Sequence, residues 1–467
     1  MSLSYKLLPP NTVSKEIFRA YDIRGVVDET LTSDAVYTLG RAIGSQIREQ
    51  NENNVLVARD GRLSGPTLIA ALKQGLVESG CEVIDLGAVP TPLLYFATNV
   101  LSATSGVMLT GSHNPVNHNG LKIVIKGQTL AEQEIYALYD RIQAQNFITG
   151  TGSSKSHDII PAYIKYICQD VKLTRPLRVV VDAGNGIMGA VAPQLLQALG
   201  CDVIPLFCEV DGNFPNHHPD PSVPENLQDL IQAVQQHKAD VGLAFDGDGD
   251  RLGVVTNEGE IIWPDRQLML YAIDVLKRQP GAQIIFDVKC SSHLPQVIAQ
   301  HGGQPLMWKT GHSLVKAKLK EIGAPLAGEM SGHIFFKERW FGFDDGLYTA
   351  ARLLEILAID MRSSNAVFAA LPNSVNTPEL KLMLPDERKF LFMAEFQKTA
   401  SFLAAKVTTI DGLRADFPFG FGLVRCSNTT PCLVLRFEAD NAENLKIIQM
   451  NFREQLLKLD RGLILPF

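Results

Sequence analysis

The sequence predicts an α/β protein with three similar α/β domains, each built on a mixed sheet, followed by a smaller α+β domain. Three observations support this fold class: the length of the chain, a repeat within it, and a change of pattern near residue 373. A chain of 467 residues is too long for one hydrophobic core and is expected to divide into domains. Hydrophobic residues make up 46% of the chain and charged residues 20%, which is the ordinary balance of a globular protein.

The repeat has a period of roughly 100 residues, which predicts related domains rather than a solenoid. A Gly-Cys-acid-Val-Ile-x-Leu pattern occurs at residues 80–86 and again at residues 200–206. In each copy a first apolar run ends at an acidic residue, and a third apolar run leads into an unusual loop. The three loops are TGSHNP (residues 110–115), DGDGDR (246–251) and GEMSGH (328–333). Functional loops of such sheets lie beyond the carboxyl ends of the strands, so these loops predict a shared central cleft.

Weaker signals define the first elements of the chain. We interpret residues 17–25 as a strand entering a turn, with Arg24 at its end. Residues 33–50 follow as a helix, for which Thr32 or Ser33 is the expected cap.

The last part of the chain carries a different pattern and predicts the α+β domain. It shows, in order, a helical stretch after Pro385, a hairpin signal at residues 408–413, a strand at 432–437 and a helix at 442–457. The polar stretch at residues 153–156 marks the first domain limit. The predicted domains are residues 1–156, 157–259, 260–372 and 373–467.

Charge and cysteine usage exclude several classes of protein. The net charge of -7 and the lack of a basic tract argue against nucleic-acid binding. The seven cysteines are scattered without a CxxC pair, which is typical of reduced thiols rather than disulfides or zinc ligands. No apolar run reaches the roughly 18 residues of a membrane helix, and the first residues lack the apolar core of a signal peptide. We therefore expect a cytoplasmic protein.

The DGDGDR loop is the strongest local signal for a metal site. Asp246, Asp248 and Asp250 alternate with glycines, so their carboxylates can turn toward one hard cation such as Mg²⁺. A calcium loop of the EF-hand type does not fit, because Arg251 and Asn257 stand where that loop needs glycine and glutamate. A solvated acidic turn is the remaining alternative. Beside a metal, Arg251 is expected to bind a phosphate.

The TGSHNP loop is a candidate nucleophile loop. Ser112 follows the apolar run at residues 106–109, Gly111 permits a sharp turn, and His113 is a possible proton acceptor. An ordinary polar turn is the alternative interpretation. Lys122 could serve as a base or charge stabiliser for the serine, or it could be a solvent-facing lysine on a strand. A serine beside a metal site indicates phosphoryl transfer.

Two further loops suggest recognition of a sugar phosphate. Glu329, Ser331 and His333 could bracket the hydroxyls of a sugar, although the loop could also be a simple one with an incidental histidine. Residues 425–430 combine one arginine with short polar side chains, which is typical of a phosphate cradle and also of a β-turn. Lys289 and His312 lie at predicted strand ends of the third copy, and either could be structural.

Taken together, TGSHNP, DGDGDR, GEMSGH and RCSNTTP resemble the motifs of the α-D-phosphohexomutase family. The resemblance covers essentially the whole chain, including FRAYDIRG near its start. It implies four domains, the last one resembling the fold of the TATA-box-binding protein. It also implies an active-site phosphoserine at Ser112, bound Mg²⁺, and glucose 1,6-bisphosphate as activator and intermediate.

The resemblance assigns roles residue by residue. The implied catalytic residues are Ser112, Lys122, Arg251 and His333, and the implied metal ligands are Ser112, Asp246, Asp248 and Asp250. The implied substrate-binding residues are Tyr21, Arg24, Lys289, His312, Glu329, Ser331, Arg425, Ser427, Asn428 and Thr429.

The implied activity is reversible phosphoryl transfer between O1 and O6 of mannose and glucose phosphates. Met330 in the third loop resembles the subgroup that acts on these two sugars. A phosphoglucosamine mutase, a phosphatase and a non-catalytic sugar-phosphate-binding protein are the alternatives. We expect hexose phosphates as partners and a monomer in solution, with a dimer as the alternative.

Overall fold

A computed structural model of the chain describes residues 5–428 and 430–467. The chain forms two compact units: one comprises Met1–Trp263 with Ser331–Val367, and the other comprises Pro264–Met330 with Phe368–Phe467. The predicted third domain contributes to both units. The predicted shared cleft and the predicted limits at residues 156, 259 and 372 stay predictions. Within the described residues, no helix has both the length and the apolarity that a membrane crossing requires.

The first part of the chain folds into a seven-stranded mixed sheet with helices. Its elements are β1 (Ile23–Val26), α1 (Ser33–Glu49), β2 (Asn54–Arg59), α2 (Gly65–Glu78), β3 (Glu82–Ala88), α3 (Thr91–Val100), β4 (Ser105–Leu109), β5 (His118–Ile125), β6 (Gln128–Thr129), α4 (Gln133–Gln143) and β7 (Ser153–Ser156). The strand order is β1-β5-β4-β2-β3-β7, with β6 beside β5. Strand β2 is parallel to β3 and β4, whereas β5 is antiparallel to β4. Apolar side chains of these strands and helices, such as Val57, Leu72 and Val107, form one core.

Two details of this sheet differ from the predictions, and one agrees. Residues 15–17 form a 3-10 turn that Ser14 caps, so the strand begins only at Ile23 and Arg24 lies within it rather than at its end. The polar stretch at residues 153–156 is strand β7, which pairs with β3; its exposed side chains give no apolar alternation. The predicted cap is confirmed: Thr32 Oγ1 accepts a hydrogen bond from a backbone N–H of α1.

The second sheet has five strands and lies wholly in the first unit. Its elements are α5 (Ile160–Asp170), β8 (Arg178–Asp182), α6 (Ala192–Ala198), β9 (Asp202–Leu206), α7 (Gln228–His237), β10 (Val241–Phe245), β11 (Leu252–Thr256) and β12 (Ile261–Ile262). The strand order is β12-β11-β10-β8-β9, with β8 parallel to β9 and β10. The predicted third strand, β10, therefore ends directly at Asp246.

The third copy of the repeat begins the second unit. Its elements there are α8 (Pro264–Arg278), β13 (Gln283–Asp287), α9 (His293–Gln300), β14 (Gln304–Trp308), α10 (His312–Ile322) and β15 (Leu326–Gly328). Strand β13 is parallel to both β14 and β15. In all three sheets the first strand of the copy therefore lies between the second and the third, which confirms the internal repeat.

The chain then returns to the first unit through β16 (Ile334–Phe336) and α11 (Gly346–Ile359), followed by α12 (Ser364–Ala369). Aromatic packing fixes this segment. Trp340 stacks on Tyr348 at 4.3 Å and on Phe96 of α3 at 5.7 Å, and Tyr163 of α5 meets the Trp340 ring edge-on. Rings from three parts of the sequence thus form one cluster within the first unit.

The remainder of the second unit is the predicted α+β part. Its elements are β17 (Val375–Asn376), β18 (Leu380–Met383), α13 (Asp386–Thr399), β19 (Lys406–Thr408), β20 (Leu413–Phe417), β21 (Gly420–Cys426), β22 (Cys432–Ala439) and α14 (Ala442–Leu459). The sheet is antiparallel in the order β17-β22-β21-β20-β19, with β18 beside β22. Phe396 of α13 and Phe452 of α14 pack against Phe437 of β22 in one core. The predicted hairpin at residues 408–413 is confirmed by the pairing of β19 with β20.

Candidate active site

The serine loop, which we define as residues 110–118, lies at the carboxyl end of β4. Ser112 is 3% exposed and adopts a positive φ of 48°, which is uncommon for a residue with a side chain. Its Oγ lies 3.1 Å from Asp246 Oδ2 and 3.0 Å from His113 Nδ1. Burial, together with the nearby Arg251 charge, lowers the pKa of His113 well below its ordinary value, so this imidazole is neutral near pH 7. The predicted nucleophile is therefore buried between a carboxylate and a neutral histidine.

Two charged residues that the motif search missed hold the serine loop in place. Arg62 donates hydrogen bonds to the backbone carbonyls of four of its residues, and Asp60 accepts bonds from Thr110 Oγ1 and the Gly111 N–H. Thr110 Oγ1 in turn accepts a bond of 2.8 Å from the Ser112 N–H. The only signal in the sequence is the position of Asp60-Gly61-Arg62 directly after β2.

The acidic loop, residues 246–251, follows β10 and is completely buried at its three aspartates. Lys122 Nζ lies 2.7 Å from Asp248 Oδ2 and also bonds to Asp250 Oδ2. Because Lys122 is 3% exposed, the alternative of a solvent-facing lysine is wrong. Its strand β5 runs beside β4, which brings the lysine next to the serine loop. Thr91 Oγ1 donates a further bond of 2.6 Å to Asp248.

The electrostatics of this loop show a shortage of positive charge. Burial opposes ionisation of Asp248, but the Lys122 ammonium prevails and lowers its pKa. Burial likewise opposes the charged form of Lys122, and the carboxylates of Asp248 and Asp250 raise its pKa well above the ordinary value. For Asp246, burial and the Asp250 charge raise the pKa well above its ordinary value. One lysine therefore does not neutralise three buried carboxylates.

The acidic loop fits a divalent cation. One carboxylate oxygen of each of Asp246, Asp248 and Asp250 lies within 4.8 Å of the others. The Oδ1 atoms of Asp248 and Asp250 are buried and receive no hydrogen bond. Buried carboxylate oxygens that lack a donor are the ligands that Mg²⁺ and Ca²⁺ prefer. The solvated acidic turn is thereby excluded as an interpretation.

Arg251 links the acidic loop to His333. Its Nε donates a bond of 3.1 Å to His333 Nε2 and lies 4.0 Å from carboxylate oxygens of Asp246 and Asp250. His333 Nδ1 lies 3.0 Å from Asp344 Oδ2. Because Nε2 accepts from Arg251, a neutral His333 carries its proton on Nδ1, facing Asp344. Asp344, which the sequence reasoning missed, therefore orients this ring.

The other predicted residues of the first unit are Tyr21, Arg24 and Ser331. Tyr21 is buried, and Arg24 of β1 bonds to Asp22, which directly precedes that strand. The Arg24 charge contributes to the lowered pKa of His113, which places it near the serine loop. Ser331 is half-buried in the turn before β16.

In the second unit, Asp287 joins the loops that follow three parallel strands. Its carboxylate accepts bonds from Thr310 Oγ1 at 2.9 Å and from the Met330 N–H at 3.1 Å. The neighbouring Glu329 is 1% exposed, and its Oε1 accepts a bond from the Gly311 N–H. The predicted sugar-binding glutamate is thus fixed by the loop that begins α10. His312 is the first residue of that helix.

Lys289 and Arg425 lie in one charged cluster of the second unit. Lys289 Nζ lies 2.6 Å from Glu379 Oε1, and Arg425 Nε lies 2.9 Å from Asp411 Oδ2. Asp411 also accepts a bond from the Thr310 N–H. Burial alone would raise the pKa of Glu379, but Lys289 lowers it to about 2. Glu379 and Asp411 were both missed; only the second lies in a recognised signal, the hairpin.

The phosphate loop, which we define as residues 425–432, turns between β21 and β22. Lys389 of α13 is 3% exposed and donates bonds of 2.8 and 2.9 Å to the carbonyls of Ser427 and Thr430. Ser427 Oγ lies 2.7 Å from Thr430 Oγ1. Asn428 is half-buried in the same turn. The predicted ligand Thr429 lies outside the described residues.

Comparison with protein families gives four matches in order along the chain. They are described as phosphoglucomutase/phosphomannomutase alpha/beta/alpha domain I (residues 15–149), domain II (161–259), domain III (263–375) and the C-terminal domain (379–455). Each of the four sequence motifs falls within a different one of these ranges.

Individual relatives are similar over almost their whole length. The chain is 59% identical over 456 residues to the phosphomannomutase/phosphoglucomutase of Pseudomonas aeruginosa, which covers 98% of each chain. It is 53% identical over 446 residues to a phosphoglucomutase of Neisseria gonorrhoeae, covering 95% of this chain and 97% of the relative. A crystal structure of a phosphoglucomutase/phosphomannomutase family protein from Burkholderia thailandensis matches with a TM-score of 0.94 and 55% identity, covering 98% of this chain and 100% of that one.

Proposed function

The chain belongs to the phosphoglucomutase/phosphomannomutase family, and from that premise we propose that it is a phosphohexomutase with a phosphoserine at Ser112. It transfers a phosphoryl group reversibly between O1 and O6 of mannose and glucose phosphates, through a hexose 1,6-bisphosphate. The observation that carries the proposal is the distance of 3.1 Å between Ser112 Oγ and Asp246 Oδ2, in a buried site rich in carboxylates. A nucleophile beside a cation site is what phosphoryl transfer requires.

We assign Mg²⁺ to Asp246, Asp248 and Asp250, with the oxygen of Ser112 as a further ligand. The ion, when bound, supplies positive charge that stabilises the oxygens of the transferring phosphoryl group. Two cationic side chains of the protein supply further positive charge for the phosphoryl oxygens. Lys122 and Arg251 both lie within 4.0 Å of these carboxylates, and both are available to the phosphoryl oxygens.

Each transfer exchanges one P–O bond for another. The bond between phosphorus and the Ser112 oxygen breaks while a bond to a sugar hydroxyl oxygen forms, and the hydroxyl proton passes to a base of the site. His333, whose ring Asp344 orients, is the candidate base, and Lys122, which Asp248 and Asp250 keep protonated by raising its pKa, is the candidate acid. After the bisphosphate turns around, the opposite phosphoryl group returns to Ser112 and regenerates the phosphoserine.

The second unit supplies the proposed grip on the phosphate that is not transferred. Arg425 brings the guanidinium, and the phosphate loop brings short donors; the proposed ligands are Arg425, Ser427, Asn428 and Thr429. Glu329 of the second unit, whose Oε1 accepts a hydrogen bond from the Gly311 N–H, is a proposed ligand of sugar hydroxyls. Ser331 of the first unit is also a proposed ligand of sugar hydroxyls. The further proposed substrate-binding residues are Tyr21, Arg24, Lys289 and His312. We further infer that glucose 1,6-bisphosphate activates the enzyme by phosphorylating Ser112.

Intact-mass measurement tests the proposal most directly. The purified protein is incubated with excess glucose 1,6-bisphosphate and Mg²⁺, and a gain of one phosphate is expected, or its presence as isolated. Ser112→Ala is the control and should show neither the phosphate nor mutase activity. A protein that carries no phosphate on Ser112 under any condition does not follow the proposed mechanism, and the sugar-phosphate-binding alternative then replaces the proposal.

Substrate assays then separate the related activities. Conversion of mannose 1-phosphate and glucose 1-phosphate to their 6-phosphates is expected. Preference for glucosamine 6-phosphate would identify a phosphoglucosamine mutase, and steady release of inorganic phosphate to water would identify a phosphatase. We also propose that the enzyme is cytoplasmic and monomeric, which fractionation and light scattering can test.

A further inference from the structure

One buried arginine binds the backbone of the whole serine loop. Arg62 is 1% exposed, and its guanidinium donates to the carbonyls of four residues. These are Ser112 at 2.9 Å, Asn114 at 2.6 Å, Pro115 at 2.6 Å and His118 at 3.0 Å. The four carbonyls all turn toward the same point, which is unfavourable for their dipoles without a cation between them. The loop conformation therefore depends on the guanidinium.

The residues around Arg62 leave no room for it to move. A Cβ added to Gly111 would lie 2.3 Å from Arg62 Nε, so only glycine permits this approach. Asp60 Oδ2 lies 3.4 Å from the same Nε and also accepts the Gly111 N–H. The ring of Phe214 lies 5.4 Å from the guanidinium carbon. Salt bridge, backbone bonds and ring together fix the plane of the guanidinium.

The backbone of Ser112 is hydrogen-bonded to Arg62 on one side and to the pair of Thr110 and Asp60 on the other. Its carbonyl accepts from Arg62, and its N–H donates to Thr110 Oγ1, which is itself bonded to Asp60. Between these two bonds Ser112 has a φ of 48°, a conformation that a serine adopts rarely unless its surroundings impose it. In that conformation its Oγ lies 3.1 Å from Asp246 Oδ2.

We propose that Arg62 is a positioning residue for phosphoryl transfer: it holds Ser112 in the one backbone conformation from which Oγ faces the acidic loop. It acts through the backbone of the serine loop and does not contact the substrate. The proposal rests on the proposed function and extends it, because it names the group that determines where the phosphoserine stands. An effect on the rate of transfer is expected rather than an effect on substrate affinity.

Lysine cannot replace arginine in this role. A guanidinium presents five donors in a planar fork and can reach several carbonyls at once, whereas an ammonium is a compact donor on a flexible stem. Arg62→Lys therefore keeps the charge that Asp60 needs but loses the geometry. Misplacement of a reacting group by about 1 Å can lower a rate by about 100-fold. We expect a decrease of this size in kcat, with KM changed by less than about threefold.

Arg352→Lys is the matched control. Arg352 is 0% exposed, lies in the same unit, stacks on Phe336 and bonds to Glu338, away from the serine loop. Both variants lose buried hydrogen bonds and are expected to unfold at lower temperature. Only Arg62→Lys should lose kcat and take up phosphate from glucose 1,6-bisphosphate more slowly. Millimolar methylguanidinium should restore part of kcat to Arg62→Ala, which a loss of global stability would not allow.

The outcomes separate the two proposals. If wild-type protein neither carries phosphate on Ser112 as isolated nor takes it up, the proposed function fails and the role of Arg62 falls with it. If wild type is active and Arg62→Lys retains as much kcat as Arg352→Lys, the role of Arg62 alone is overturned. Should Arg62→Lys not fold, Gly111→Ala keeps the arginine but displaces its guanidinium. That variant should show the same loss of kcat, and an unchanged kcat in it would equally overturn the proposal.

Discussion

The serine loop of the first unit and the phosphate loop of the second are each hydrogen-bonded through their backbone to a buried cation, but the number of bonded carbonyls differs. Arg62 donates to four carbonyls of the serine loop, whereas Lys389 donates to two carbonyls of the phosphate loop. A planar guanidinium fixes several groups relative to one another, and an ammonium only attracts them. The serine loop, in which we propose that bonds form and break, is therefore held by more hydrogen bonds from one cation than the loop that we propose to bind a phosphate.

The acidic side chains near the two loops also differ, because they are buried near the serine loop and partly exposed near the phosphate loop. The three aspartates beside Ser112 are fully buried, and Lys122 is buried with them, whereas the side chain of Arg251 is 14% exposed. In the second unit Lys289 and Arg425 are paired with acids whose side chains are 38% and 17% exposed, Glu379 and Asp411. Partly exposed acids can give way to an incoming anion at little cost, whereas buried ones cannot. This difference agrees with the proposed roles of the two sites, which are transfer of a phosphoryl group at the first and reversible binding of a phosphate at the second.

The largest effect that would sharpen this contrast is expected for Lys122→Met. It leaves Asp248 and Asp250 without their cation and removes a positive charge from the site of transfer. We expect kcat to fall by about 100-fold or more, with a small change in KM. Steady-state kinetics with glucose 1-phosphate measure both constants.

Lys73→Met is the control for this variant, since Lys73 forms a partly exposed ion pair with Asp85 in the same unit. It should keep its full activity. Turnover of Lys122→Met within about tenfold of wild type would contradict a charged role for this lysine at the site of transfer.

An intermediate effect, on KM rather than on kcat, is expected for Lys389→Met. Two buried carbonyls of the phosphate loop lose their donor, and each such bond contributes about 1 kcal/mol. The loop should grip phosphate less well, so KM should rise by about tenfold while kcat changes little. Titration with inorganic phosphate as a competitive inhibitor provides an independent measure. Lys398→Met, at an exposed position of the same helix, should leave KM unchanged. A fall in kcat with constant KM would contradict the distinction between the two loops.

The smallest effect concerns stability and pH rather than turnover. Asp345 is 1% exposed, caps α11 and accepts a hydrogen bond from Tyr163; burial raises its pKa from 3.8 to about 7. Because the folded state binds the proton more tightly than the unfolded state, this group favours folding at low pH, and that contribution is lost as pH rises through about 7. Asp345→Asn keeps an acceptor and cannot ionise. Its urea midpoint should fall less between about pH 5 and about pH 8 than that of wild type.

Asp158→Asn serves as the control for the pH dependence, because Asp158 also bonds to the start of a helix but is exposed. It should follow the wild-type dependence. An equal loss of stability with rising pH in Asp345→Asn and wild type would show that Asp345 does not titrate in this range.

The sequence predicted those parts of the fold and site that lie in contiguous patterns. The repeat indicated three related sheets, and strand β10 does end at the acidic loop whose carboxylates lie together. An apolar run followed by alternating aspartates is a local pattern. The loop at the end of the strand brings these aspartates together, so the site lies in the same short segment as the pattern that predicts it. For the same reason the serine was found at the end of β4.

Residues whose role depends on distant partners could not be found in this way. Arg62 and Asp344 act on groups that lie 50 to 56 residues and 11 residues away in the sequence, and nothing in their own neighbourhood marks them. The sequence shows only a polar stretch at strand β7, because all four side chains of this edge strand are exposed. Only the pairing with β3 identifies it as a strand, and pairing depends on two segments that are distant in the sequence.

That edge strand has a consequence for the behaviour of the protein in concentrated solution. The last strand of a sheet offers unpaired backbone groups to any other extended chain, and flat apolar edges promote aggregation. Strand β7 presents only Ser-Ser-Lys-Ser at this position, with all four side chains exposed. Its lysine brings a positive charge to the edge, so two copies that approached edge to edge would repel one another. The β7 edge of the sheet that carries Ser112 is therefore a poor template for the addition of another strand.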